Sequence, residues 1–120
     1  MISKNFFNQT RILDGGMGQE LLARGMRSNS TLWSANAILD ENYHQLVLDT
    51  HIDFIKAGAE IIVTTTFATR QKRLKENNLL DKFEYLNQKA GEIAQAAKQK
   101  LNLASSPLQV ILDPFLHLIF

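Results

Sequence analysis

The sequence predicts an α/β protein built on parallel strands, and two stretches carry that prediction. In residues 11–18, Arg-Ile-Leu-Asp-Gly-Gly-Met-Gly, a short apolar run ends in Asp14 and enters three glycines within four residues. Strong helix formers follow over 19–24, with Gly25 as a stop signal, so the local order is strand, tight turn, short helix. In residues 57–67, Ala-Gly-Ala-Glu-Ile-Ile-Val-Thr-Thr-Thr-Phe, a glycine turn precedes an apolar β-branched run and then a row of hydroxyls. Such a run reads as a strand buried on both faces, as parallel strands are. Asp14 and the threonines then fall at the carboxyl ends of consecutive strands, the edge at which parallel α/β folds bind ligands. A structural turn and ordinary strand threonines account for the same residues. The glycines match neither GxGxxG nor a phosphate-binding P-loop, so they give no argument for a nucleotide.

The remaining segments fit intervening helices. Residues 1–10 predict a leading segment with a short helix. Residues 26–37 are polar and serine-rich and predict a loop, which Trp33 anchors through its large ring. Asp40 or Asn42 is placed to cap a helix in which Leu46, Val47, Phe54 and Ile55 share a face, and Gly58 ends it. Residues 67–78 predict an exposed basic helix with Arg70, Lys72, Arg73 and Lys75, and residues 79–83 a short apolar connection. The clearest helix covers 84–101, where Leu86, Ala90, Ile93, Ala94, Ala97 and Leu101 keep helical spacing. Ser105, Ser106 and Pro107 break it, and a third strand begins over 108–112. There is no internal repeat beyond the strand–helix units, which predicts one domain or part of one.

Bulk properties narrow the class. With 120 residues and an apolar fraction of 45%, the chain can bury one small core. Thirteen basic and 12 acidic residues leave a net charge of +1, which supports neither a nucleic acid nor a membrane surface as partner. The absence of cysteine excludes a disulfide and a thiolate metal site within the chain. No apolar run approaches the roughly 18 residues of a membrane span, and residues 1–9 lack the apolar core of a signal peptide. A cytoplasmic protein is expected.

Taken together, the motifs resemble the opening of the homocysteine S-methyltransferases. The resemblance rests on Asp14-Gly15-Gly16-Met17-Gly18, Glu20-Leu21, Arg24-Gly25 and Leu32-Trp33-Ser34-Ala35, and continues through His51, Phe54-Ile55, Ala57-Gly58-Ala59 and Ile61-Ile62 to Thr64-Thr65-Thr66-Phe67. It covers roughly residues 10–105. It implies the amino-terminal part of a TIM (β/α)8 barrel, with about three parallel strands and their helices. It also implies methyl transfer to the thiol of homocysteine from a methyl donor, as in methionine biosynthesis. By resemblance, Asp14 holds the substrate ammonium through a charge-assisted hydrogen bond. Backbone N–H groups near Gly15 and Thr64 take the substrate carboxylate, Gly15 allowing close approach. No catalytic side chain falls within the chain.

The full-length family uses zinc held by three cysteines to keep the substrate sulfur ionised, because a coordinating thiol loses its proton outright. Here there is no cysteine, and His44 and His51, seven residues apart on one helix, are roughly 10 Å apart. No metal site is expected. The carboxyl end departs from the family pattern: Asp113-Pro114 leads into Phe115, Leu116, His117, Leu118, Ile119 and Phe120, an apolar tail that predicts self-association. The expected domain is therefore a partial homocysteine-binding domain over 1–120, truncated after its third strand and inactive alone. The contrasting reading is a non-catalytic remnant or interaction module without methyltransferase activity.

Overall fold

The computed structural model describes residues 4–101 and 109–111. The order of elements is a 3-10 turn at Lys4–Asn8, α1 (Met17–Ala23), α2 (Asn36–Leu39), α3 (His44–Lys56), β1 (Ile61–Val63), α4 (Gln71–Glu76), α5 (Phe83–Lys100) and β2 (Gln109–Ile111). Strands β1 and β2 pair in parallel, with Ile61 opposite Gln109 and Val63 opposite Ile111. A connection through α4 and α5 joins them, as parallel pairing requires. On the other side of β1, a single parallel bridge joins Leu13 to Ile61.

That bridge corrects the expectation of a first strand over 11–13. The ladder is limited to the bonds that Glu60 N–H and Ile61 N–H donate to the Ile12 carbonyl and that Asp14 N–H donates to the Ile61 carbonyl. Its next rung is lost because the Glu60 carboxylate captures the Ile12 N–H at 2.9 Å while pairing with Arg11 at 3.1 Å. Ile12 and Leu13 stay more than half exposed, so no packing extends the strand.

Helix ends follow the local sequence closely. After α1, Gly25 takes φ +104°, Met26 N–H donates to Leu21 O and Gly25 N–H to Leu22 O. This double closure, with Met26 packed in the same cluster as Leu21, is a Schellman stop. The end of α3 repeats it at Gly58, φ +115°, through Ala59 N–H to Phe54 O and Gly58 N–H to Ile55 O. The end of α4 uses Asn78 at φ 58° instead, with Leu79 N–H to Leu74 O. Asn tolerates this region better than other side chains. Asp40 accepts the Asn42 N–H at 3.0 Å and so caps the turn that leads into α3.

The main core joins Leu21 of α1, Ala37 and Ile38 of α2, Val47 of α3, Leu74 of α4 and the Phe83, Leu86, Ala90 and Ile93 stripe of α5. Ile62 of β1 packs on Ala94. The stripe foreseen on α5 is thus the buried one, except that Leu101 sits just past the helix end and Asn87 joins the interior.

Four further expectations need correction. Residues 26–37 are not a plain loop, because a turn at Trp33–Ala35 runs directly into α2, where Ala35, Ala37 and Ile38 are buried. Trp33 is not the anchor: it is 56% exposed, and Leu32 and Ala35 pack against Ala68 instead. The basic helix shrinks to Gln71–Glu76, since residues 67 and 68 form a turn and 69–70 belong to no regular element. On α3 the fully buried positions are Val47, Thr50 and His51, with Leu46, Phe54 and Ile55 only partly covered. No helix among the described residues is long and apolar enough to cross a membrane. The tail at 115–120, including His117, lies outside the described residues.

Candidate functional site

Asp14 and the threonine row meet at the carboxyl end of β1. One carboxylate oxygen of Asp14, Oδ2, accepts the Val63 N–H at 3.0 Å, while its own N–H is held by Ile61 O at 3.0 Å. The side chain is therefore fixed against β1 from both ends. Burial pushes the Asp14 carboxyl above its usual range, and the Val63 N–H only partly offsets this. Among the described residues no cation lies within ion-pair distance of it.

Asp14, Gly15 and Thr64 line a single cleft of about 340 Å³, together with Trp33, Ser34 and Phe67. That volume falls in the range of small-molecule sites. The structure thus brings together the three residues that the sequence singled out. Gly15 carries a further constraint. A Cβ there would come within 2.8 Å of Phe54 Cε1, so the glycine accommodates the α3 ring as well as any ligand.

Below the cleft lies a polar network with no local sequence signal. Thr64 and Thr66 hydroxyls share a hydrogen bond at 2.9 Å. Thr69 Oγ1 donates to Asn87 Oδ1 at 2.7 Å, and Asn87 Nδ2 donates to Thr69 O and Phe83 O. The chain after β1 is thereby pinned to α5 by a buried amide 18 residues away from Thr69. Satisfied buried networks of this kind rigidify the segment that carries them.

His51 is fully buried, and burial drops its pKa to about 4, so it is neutral at pH 7. His44 is instead tied to the Ile38 carbonyl at 2.7 Å. Among the described residues no three His, Asp or Glu side chains gather to hold a metal ion. The three thiolates that the resemblance calls for have no counterpart in this cysteine-free sequence, so the residues present do not fit that zinc.

The site is a cleft at the carboxyl end of β1, the strand that pairs in parallel with β2, and it presents one uncompensated carboxylate. Comparison with known proteins then narrows the class. A family profile described as Homocysteine S-methyltransferase matches residues 11–113. The chain belongs to the homocysteine S-methyltransferase family. It is 37% identical over 89 residues to homocysteine S-methyltransferase 2 of Zea mays, covering 73% of this chain and 26% of that protein. It is 36% identical over 74 residues to the Saccharomyces cerevisiae protein of the same name, covering 55% of this chain and 23% of the relative. The chain therefore spans about a quarter of the length of the curated relatives it matches. Among solved structures, the oxidized form of the homocysteine methyltransferase MmuM from Escherichia coli superposes with a TM-score of 0.70 at 30% identity, over 83% of this chain and 35% of that one. Its metallated form gives 0.70 at 26% identity, over 91% and 38%.

Proposed function

We propose that this chain forms the amino-terminal strand–helix units of a (β/α)8 barrel and that its Asp14 cleft holds the amino-acid end of homocysteine, the acceptor of a methyl group. The observation that carries this reading is the half-buried, cation-free carboxylate of Asp14 in a cleft of substrate size. An ammonium group placed there gives the carboxylate its missing counter-charge and a charge-assisted hydrogen bond. Gly15 and Thr64 line the same cleft, and their backbone N–H groups are assigned to the substrate carboxylate.

Transfer itself needs more than this half-site. A free thiol has a pKa of about 8.5, so only a small fraction is the reactive thiolate at neutral pH. Nothing in this cysteine-free sequence replaces a metal that would ionise it. We therefore assign substrate holding, and no turnover, to these 120 residues acting alone.

The test is a titration followed by amide NMR, with homocysteine in one arm and N-acetylhomocysteine, which lacks the ammonium, in the other. Homocysteine is expected to shift Gly15, Val63 and Thr64 saturably, with a roughly millimolar dissociation constant. The acetylated compound is expected to leave them in place. Equal responses to both compounds, or none to either from folded protein, contradict the assignment.

A further inference from the structure

A second groove, of about 790 Å³, lies between the chain segments that follow Leu13 and Val63, and Asp14 takes no part in it. Ser30 and Thr31 form one wall, and Arg70, Lys72, Arg73 and Asn77 the other. Its polarity is opposite to that of the Asp14 cleft, since three cations face the single carboxylate of Glu76. Neither Lys72 nor Arg73 forms an ion pair with any described residue.

Arg73 is held in advance. Its Nη1 donates to the Thr31 carbonyl at 3.0 Å, bridging the two walls, and its guanidinium carbon stands 5.2 Å from the centroid of the Trp33 ring. Its Nε is buried with no hydrogen-bond partner among the described residues. A guanidinium fixed in place and lacking a counter-ion loses little freedom when an anion arrives, and its fork suits phosphate and carboxylate oxygens. Lys72 is exposed beside it and adds a mobile positive charge.

We propose that this groove is a binding site for a small molecule bearing at least two negative charges, carried by phosphate or carboxylate groups. Its volume suits a small-molecule ligand and its charge excludes an apolar one. A single-stranded nucleic acid fits less well. Bases stack on aromatic faces, and one face of each nearby ring is already taken, by Arg70 at 4.4 Å from the Phe67 centroid and by Arg73 at 5.2 Å from that of Trp33. A hollow of about 210 Å³ shares Ser30 with this groove and Trp33 with the Asp14 cleft. The proposal stands independently of homocysteine as acceptor, because no residue of the groove is assigned to that substrate.

The experiment titrates the full chain with inorganic pyrophosphate and, separately, with citrate, at about 0.15 M salt, and follows amide NMR shifts. Saturable shifts at residues 30, 31 and 70–77 are expected. Affinity should drop at least about tenfold in Lys72→Glu, a change of 1.4 kcal/mol or more. Lys72 forms no ion pair with any described residue, so this variant should fold, and Lys98→Gln in the last turn of α5 should bind as the parent does. The tighter of the two probes identifies phosphate or carboxylate as the natural group. Failure of both probes to saturate below about 10 mM overturns the proposal. So does equal weakening in Lys98→Gln, or tighter binding of a short single-stranded RNA at the same residues.

Discussion

The carboxylate of Asp14 accepts the backbone N–H of Val63 at 3.0 Å, which ties the end of one apolar run to the end of the next. A residue that serves only as a structural tie does not need a charge to do so. The charge is costly here, since burial dominates the environment and pushes the pKa up.

This separates two substitutions. Asn at position 14 keeps an oxygen for the Val63 N–H and removes the buried charge, whereas Ala leaves that N–H unpaired. A folded-state pKa raised above 3.8 means that Asp14 favours the fold most below that value and loses this contribution as pH rises through the folded pKa. Asp14→Asn should therefore be at least as stable as the parent at pH 7, with any advantage vanishing in acid. Asp14→Ala should lose about 1 kcal/mol. Urea unfolding at pH 7 and pH 3.5 measures both. A clear loss of stability in the Asn variant at pH 7 would assign Asp14 a purely structural charge.

Gly15→Ala tests the contact with α3. Its new methyl meets Phe54 Cε1 at 2.8 Å, so the ring or the turn must shift. A loss of about 1–3 kcal/mol is expected, as for other overpacked sites. Phe54→Leu should recover part of it in the double variant, a coupling that a double-mutant cycle reads directly. Strict additivity would place the cause elsewhere.

His51 makes the fold acid-sensitive. Above about pH 6.5 the ring is neutral in both states and the group has no effect. Between there and about pH 4 the unfolded chain takes up a proton that the buried ring refuses, so stability falls as pH falls. The full loss is about 3 kcal/mol. His51→Leu, similar in size, should flatten the dependence of unfolding free energy between pH 6.5 and 4. An unchanged slope in that variant would locate the acid sensitivity in other groups.

Asn87→Leu should destabilise by about 2–3 kcal/mol, because it removes an amide bonded to Thr69 and to two backbone carbonyls at a buried position. Hydrogen exchange should quicken at Thr66 and Thr69 more than in α1. A uniform change across the chain would show that the network does not hold this segment in particular.

What the sequence disclosed depended on the range of the interaction. The α5 stripe, the stops at Gly25 and Gly58 and the strand at Ile61–Val63 all arise from local periodicity or backbone freedom, and all were readable. Asp14, Gly15 and Thr64 could be placed on one edge because parallel strands order their ends alike. Other features depend on partners distant in the chain. The Glu60 side chain shortens the first strand by capturing the Ile12 N–H, 48 residues away. Asn87 supports the threonine segment from α5, and Phe54 presses on Gly15 from α3. Composition misled over 26–37, where polar residues surround the buried Leu32, Ala35 and Ala37. It misled again at Trp33, whose indole N–H is satisfied by the nearby Ser30 carbonyl at 3.0 Å while the ring stays exposed.

Calorimetry with homocysteine, on the parent chain and on Asp14→Asn in parallel, tests the central claim most directly. The Asn variant keeps the tie to Val63, so any difference reports the charge and not the fold. Saturable heat from the parent with a roughly millimolar dissociation constant, weakened at least about tenfold in Asp14→Asn, is the predicted result. Equal binding by both proteins, or no binding by a folded parent, would contradict the assignment of this cleft to the substrate amino group.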